Sequence, residues 1–493
     1  MTIPIDLRRN DLHSLQEQIY TQIRGLILNG RLAKSARLPS SREMARDLGV
    51  SRNTVLYAYD SLKNEGYLDS RDNAGIFVSD SIPDRCLDYV SDGRGTRLLD
   101  REPNRRPELK LEVTAPANVH LDRARPRIDF WYGRFDRRNF PLNTWRRLIN
   151  ENLSRAGSNL SEYGAPSGCH ELRTAVSSHL GATRGMSAPP ERIIITAGAQ
   201  DGLNLMCRLL VQQGVRVAVE NPCYGSAALL LKSYGADLRP VSIDSSGLIV
   251  EELDATDAVL AYVTPSHQFP TGATMPLERR HRLLDWAQKA NAFIIEDDYD
   301  SDFRYDSPPL TALAGMDRYD RIIYVGSFSK SIGPGVRVGY LVLPEALVQP
   351  ALALKSLSSY GQPWLDQIVI ADFIESGGYR NHLRKLRHRY HESRDALVAG
   401  LRKFFGADAD FSGDGCGMHI LWRLPNGIKA AVLVAAASKF EVGLYSFESV
   451  GAYEVGDSNL RENCLVLGYS TLSPAEVTEG IERVAAAVKS LAA

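Results

Sequence analysis

The sequence predicts an α/β protein in three parts: a winged helix-turn-helix head, a linker, and a large body on a mostly parallel sheet. Three observations carry this. Residues 1–80 are short helical segments punctuated by glycine and followed by a hairpin pattern. Residues 81–125 sustain no apolar period. From Arg127 onward, apolar strand-like runs recur, each emptying into a polar or glycine-bearing loop. At 493 residues there is length for two or three domains and a large core. With 44% hydrophobic and 24% charged residues and a net charge of −1, a disordered or membrane-surface chain is excluded, and no global basic signal marks nucleic acid. "MTIPIDLRRNDLHS" has no apolar core of a signal segment, and no run reaches membrane-spanning length, so a cytoplasmic protein without a membrane partner is expected. Six cysteines lie scattered without metal-ligand spacing and read as reduced thiols.

In the head, "LHSLQEQIYTQIRGLILNG" places Leu15, Ile19, Ile23, Leu26 and Ile27 near helical spacing and stops at Gly30. "LPSSREMARDLGV" offers Ser40 or Ser41 as cap and ends at Gly49. "SRNTVLYAYDSLKNEGYL" repeats the device: Ser51 caps a helix whose stripe is Val55, Ala58, Tyr59 and Leu62. A hairpin around Asn73–Gly75 follows. Two short helices joined by "GV" and trailed by a hairpin make a winged helix-turn-helix. Local charge points to DNA, since residues 1–56 carry nine Arg/Lys against five Asp/Glu. Arg37, Arg42, Arg46 and Arg52 bracket the starts of the second and third helices, where backbone N–H groups face phosphate. Ser40, Ser41, Ser51, Asn53 and Thr54 add short polar donors. A protein-interaction module with a solvated basic face is the competing reading. The linker, residues 81–125, mixes Pro, Gly and both charges and reads as a solvated spacer.

The body's strand-like runs are "RIIITAGAQ", "VRVAVENPCYG", "DAVLAYVTPSHQFPTG", "AFIIEDDYD" and "RIIYVGSFSK". In a parallel sheet, ligands gather beyond the strands' C-terminal ends, and the chemically distinctive residues sit there. "VGSFSKSIGPGVRVGY" places Lys330 among serines ahead of Arg337. Either it is a solvated turn lysine, or an amine held for a carbonyl cofactor beside a phosphate cradle of Ser327, Ser329 and Arg337. Pyridoxal phosphate has both handles. Gly198, Ala199 and Gln200 turn a strand into a helix whose first N–H groups suit a phosphate. Tyr224 is either a core tyrosine or a stacking partner for the cofactor ring. Asp297 offers a carboxylate to a pyridinium nitrogen, and Tyr299, two residues on, a hydroxyl to the phenolic oxygen. "EDDYD" as a metal loop lacks a supporting histidine cluster.

"RLPSSREMARDLGVSRNTVLYAYDSLKNEGYL" resembles the DNA-binding domain of GntR-class bacterial regulators, with a thinner wing, "RDNAGIFVSD", that holds Arg71 and Asn73. The body, from about residue 127 to the C-terminus, resembles fold-type I pyridoxal-phosphate-dependent aminotransferases through "YGAPSGCHELR", "NPCY", "FPTG", "EDDYD" and "SFSKSIGPGVRVGY" in family order. Together they resemble the MocR (GabR-like) family. The resemblance implies a winged helix-turn-helix (1–80), a linker (81–125) and an aminotransferase-like domain (126–493). It makes Lys330 the Schiff-base residue and adds Tyr163 and His267 to the cofactor set. It further implies a regulator that binds promoter DNA through Arg37, Ser40, Arg42, Ser51, Arg52, Asn53, Thr54 and Arg71. The regulator would sense a small amine or amino-acid-like effector through the cofactor's aldimine, as a head-to-tail homodimer.

Two departures bear on mechanism. Phe269 stands where aminotransferases commonly have the asparagine of "NPTG", and Val466, in "CLVLGYS", where they tend to have a carboxylate-gripping arginine. Arg461 lies five residues upstream of it. A lost clamp removes positioning, which supplies ~7–11 kcal/mol of a barrier. Little or no turnover is therefore expected. The alternative is an aminotransferase with an auxiliary N-terminal domain.

Overall fold

The computed structural model describes residues 3–8, 13–71, 75–81, 126–305, 310–425, 427–456 and 459–492. The chain divides into two compact units, Met1–Lys110 and Leu111–Ala493. Residues 82–125 of the expected linker, Asn73 at the expected hairpin tip, and Cys86 lie outside the described residues.

In the first unit, α1 (Leu15–Leu28), α2 (Ser41–Leu48) and α3 (Arg52–Asn64) precede the antiparallel strands β1 (Leu68–Arg71) and β2 (Gly75–Val78). Every helix starts on a serine. Ser14 and Ser40 form reciprocal capping boxes with Glu17 and Glu43, and Ser51 Oγ accepts from the Thr54 amide. Gly49 ends α2 in the left-handed region, φ 62°, where a side chain would be strained. The stripe Val55, Ala58, Tyr59 and Leu62 is fully buried against Ile19 and Ile23. Burial of each large apolar chain contributes roughly 1.5–3 kcal/mol. The expected winged helix-turn-helix is therefore present.

In the second unit an eight-stranded sheet uses β3 (Ile193–Thr196), β4 (Arg216–Asn221), β5 (Asp237–Asp244), β6 (Gly247–Leu248), β7 (Leu260–Val263), β8 (Phe293–Asp298), β9 (Ile322–Ser327) and β10 (Gly339–Val342). The spatial order is β3-β10-β9-β8-β7-β4-β5-β6. β9, β8, β7, β4 and β5 pair in parallel; β10 runs antiparallel between β9 and β3, and β6 antiparallel to β5. The central strands are buried on both faces, which is why β3, β4, β7, β8, β9 and β10 are near-continuous apolar runs rather than alternating ones, whereas β5, beside the edge strand β6, is polar and half-exposed. Ile193 and Ile195 enter one core and Ile194 the other, as the two-residue strand period requires. A second, antiparallel sheet pairs Phe411–Ser412, His419–Arg423 and Cys464–Gly468. Among the described residues no helix is long and apolar enough to cross a membrane.

β3, β4, β7, β8 and β9 point the same way, so their C-terminal ends share one rim, and β10 enters from it. Gly198, Tyr224, His267, Asp297 and Lys330 all sit at or just past these ends.

Candidate functional site

The acidic run at the end of β8 resolves by alternation. Glu296 and Asp298 point to one face and are engaged there, Asp298 through Oδ2 alone, its Oδ1 being buried without a partner among the described residues. Glu296 accepts from the Leu313 and Ala314 amides at 2.9 and 3.0 Å, and Asp298 pairs with the buried Arg184 at 2.7 Å. Asp297 points the other way. Its Oδ2 accepts from the Tyr262 hydroxyl at 2.6 Å, and its Oδ1, also buried, has no partner. Burial pushes this carboxyl up to about 6, against the pull of the Tyr262 bond.

Lys330 follows β9 and is half-buried, rather than enclosed or fully solvated. Its Nζ donates to the Gly133 carbonyl at 2.8 Å, and a Cβ at Gly133 would lie 2.5 Å from that nitrogen. Burial holds the amine below its usual value while Asp300 and Asp297 pull it back. Beside it, Ser327 Oγ donates to Ser329 Oγ at 2.9 Å and accepts from the Ser329 amide at 3.1 Å. Arg337 sits in the left-handed region, φ 54°, and donates to the Ala197 carbonyl at 2.5 Å. A non-glycine residue there costs on the order of 1–3 kcal/mol and persists where surrounding structure enforces it.

The helix Ala199–Leu210 starts at Gly198 without a side-chain cap, leaving its first-turn amides for another acceptor. Gly198 has φ 87° and ψ 174°, a conformation essentially restricted to glycine, and a Cβ there would lie 3.1 Å from the Arg337 guanidinium. Gly339 backs this turn, with its own missing Cβ directed 2.8 Å from Gly198 Cα. Gln200 Nε2 reaches the Ser226 carbonyl at 3.4 Å. The segments after β3 and β9 and before β10, expected from the sequence to cradle a phosphate, thus meet.

An aromatic wall stands over the rim. Tyr224, half-buried, meets Phe269 edge-on at 5.8 Å, and Tyr132 meets Phe269 at 5.0 Å. Tyr299 is brought to the rim, but its hydroxyl donates to the His267 carbonyl at 2.9 Å. His267 Nδ1 lies 2.8 Å from Asp300 Oδ2. The fold also assembles a cluster that local spacing had not predicted: His267, Asp300 and His419, from three distant segments, offer ligand atoms within 4.8 Å of one another. Asp300 Oδ2 takes His267 Nδ1, while His267 Nε2 and His419 Nε2 are buried without a hydrogen-bond partner among the described residues. Tyr163 is not brought to the rim within one chain. It is 88% exposed and stacks on Tyr360 at 5.1 Å. Val466 is fully buried with Phe269, Leu421 and Phe447, and Arg461 faces Glu454 at 3.9 Å, so no cation occupies the Val466 position. Tyr262, Tyr132, Gly133 and His419 were not anticipated; they come from three separate segments, Tyr132 and Gly133 being adjacent, and none carries a local signature.

In the head, Arg42, Arg52 and Asn53 are exposed at the starts of α2 and α3. Arg52 Nε also donates to Ser41 Oγ at 3.3 Å, bracing the two helices. Ser40 and Ser51 are occupied as caps, and the Thr54 and Ser51 hydroxyls bond each other at 2.8 Å. These three are thus architectural before they are donors. Arg37 is exposed and bridges to Phe77 on β2. Arg71 is tied within the unit: it donates to Ser35 Oγ at 2.9 Å, meets Asp80 at 3.4 Å and lies over Phe77. That engagement leaves it poorly disposed as a free wing arginine.

The model of the aminotransferase class I and II family matches residues 133–483, and that of the bacterial regulatory proteins, gntR family, residues 15–78. The chain is 34% identical to the probable rhizopine catabolism regulatory protein MocR of Rhizobium meliloti, covering 97% of this chain and 94% of that protein. It is 31% identical to the HTH-type transcriptional regulator TauR of Rhodobacter capsulatus, covering 99% and 100%. Among solved structures, a kynurenine aminotransferase of Pyrococcus horikoshii in complex with PMP superposes with a TM-score of 0.68 at 27% identity, over 74% of this chain and 91% of that one.

The turn geometry yields a prediction. Gly198→Ala is expected to lower the unfolding free energy by about 1–3 kcal/mol, the cost of a side chain in that conformation, and to weaken pyridoxal phosphate binding by displacing Arg337. Thermal unfolding and a cofactor absorbance titration measure the two effects. A variant as stable and as retentive as the parent would remove the turn from the cradle.

Proposed function

Because this chain belongs to the MocR (GabR-like) subfamily of GntR-type transcriptional regulators, with an aminotransferase class I and II body, we propose that the body holds pyridoxal 5'-phosphate at Lys330 and uses it to sense an effector. DNA binding belongs to the head; the ligand is an amine or amino-acid-like molecule. The carrying observation is the pairing, at one rim, of a half-buried amine with a buried carboxylate whose second oxygen is unpartnered. Those residues fit the cofactor. Asp297 Oδ1 suits a protonated ring nitrogen, and the glycines at 133 and 198 keep open the approach to Lys330 and Arg337. When bound, the cofactor supplies an aldehyde for a primary amine and a ring that accepts electrons. Ser327, Ser329, Arg337 and the amides at Gly198, Ala199 and Gln200 would hold its phosphate, and Tyr224 its ring face. Tyr299 and His267 would serve its phenolic side.

The organisation proposed is head 1–80, spacer 81–125 and body 126–493, working as a head-to-tail homodimer. Support for a second copy comes from the stacked Tyr163 and Tyr360, with Leu160 and Leu357 also exposed at 60% and 80%. Tyr163 would then serve the partner's site. The apolar surroundings of Val466 offer an α-carboxylate no clamp, which favours sensing over turnover.

Three outcomes are expected. The purified protein is yellow, borohydride fixes the chromophore to Lys330, and Lys330→Ala loses the covalently held cofactor; trapping on another lysine, or none, overturns the assignment. With common amino acids and 2-oxo acids, turnover is negligible, although one amine changes the cofactor spectrum. Sustained transamination near the enzyme median of about 10 s⁻¹ would replace this reading with the aminotransferase one.

For the head, Arg52→Ala lowers affinity for a specific duplex by about 1–3 kcal/mol per lost base contact and blurs sequence preference. Arg42→Ala weakens binding uniformly and flattens the salt dependence by about one unit of slope. Mobility shifts at two salt concentrations decide between these effects. Binding no better than to random DNA would remove the head as sequence reader.

A further inference from the structure

α3 presents a narrow outward strip. Val55, Ala58, Tyr59 and Leu62 face the head's core, and Arg52, Asn53, Tyr57, Asp60 and Asn64 face out. Tyr57 is the anomaly on that strip. At 60% exposure it is the one large apolar side chain in the exposed class among the described residues of the head; the next along the chain is Leu142, in the body. Tyr59, two residues on, is fully buried, so the aromatic at 57 is left out by helical phase, not by a shortage of core. It lies four residues after Asn53, one helical turn along the same face, with the half-buried Leu56 beside it. The first turn of α3 holds no acid, and the nearest outward one, Asp60, lies 3.8 Å from Lys63.

A rigid aromatic on a helix that enters the major groove has one apolar feature of DNA to meet there, the 5-methyl group of thymine. We infer that Tyr57 is a specificity-determining residue that packs on thymine methyl groups of the half-site. The inference rests on the DNA-binding reading of the head and extends it to a base identity. Four residues of helix rise ~6 Å, and base pairs step ~3.4 Å, so the thymine lies about two base pairs from the position read by Asn53. Because the contact is apolar, it adds base preference without adding to the salt dependence.

The test uses full-length protein and a duplex site enriched by that protein from random sequence. Each thymine of a half-site is replaced in turn by deoxyuridine, which deletes the methyl and leaves every hydrogen-bonding edge intact. The parent should lose about three- to fivefold in affinity at one or two positions, the loss appropriate to a buried methyl. Those positions should lie about two base pairs from the one whose preference Asn53→Ala relaxes. Tyr57→Ala should bind the thymine and deoxyuridine duplexes equally, with an unchanged salt slope; Tyr57→Phe should keep the discrimination. A parent indifferent to deoxyuridine everywhere, or a Tyr57→Ala variant that still discriminates, overturns the inference. A Tyr57→Phe variant that behaves like the alanine variant overturns it as well, in favour of a hydroxyl contact. If the parent prefers no duplex over random DNA, the head reading has failed first, and the two failures are distinct.

Discussion

Five strands, β3, β4, β7, β8 and β9, run one way through the buried centre of the sheet and discharge their polar loops over a single edge, and the body's site depends on this alignment more than on any one side chain. A buried strand has no other place to put groups that need water or a ligand. Asp297 shows the consequence most directly. Strand alternation turns Glu296 and Asp298 toward amides and Arg184, and turns Asp297 toward the rim with one oxygen satisfied and one not. Leaving a buried polar atom unpartnered costs about 1–3 kcal/mol, and folded chains keep such an atom where something else will meet it. Lys330 arrives at the same rim from β9, so amine and carboxylate face a common space because β8 and β9 are parallel neighbours.

The head follows a different logic. Its stability comes from a small core, and its orientation from punctuation: serine starts and a glycine stop set where α2 and α3 begin and how sharply the chain turns between them. The Arg52–Ser41 bond then braces the start of α3 against that of α2. The outward faces of both helix starts are left to basic and amide side chains, with the caps beneath them held by their own backbones.

Much of this was legible in the sequence, for identifiable reasons. The helix boundaries of the head were readable because capping and the left-handed glycine are local physics. The rim was readable because apolar runs ending in small polar loops mark strand ends. What was not readable was delivered from a distance. Asp237–Asp244 was not anticipated as a strand: it is polar, half-exposed and carries Pro240, so neither alternation nor an apolar run announces it. Tyr262, which orients Asp297, sits inside a fully buried strand and looks like any core aromatic. The His267, Asp300 and His419 cluster has no local spacing, because two loops and the start of the strand His419–Arg423 supply it. Tyr163 belongs to a recognisable motif, yet it is 88% exposed and stacks on Tyr360 rather than reaching the rim.

The glycines beneath the rim have a consequence for how such a body can diverge. A Cβ at Gly339 would fall 2.8 Å from Gly198 Cα and 2.9 Å from the Gly326 carbonyl oxygen, so three strand ends meet backbone to backbone with no room for a methyl. That floor is closed to drift: almost any replacement there disturbs the turn that carries Arg337. The wall above it, with Tyr132, Tyr224, Phe269 and Val466, is made of side chains that can be exchanged without touching the backbone. Lineages descending from this architecture would thus keep the floor unchanged and vary by repainting one side of the chamber.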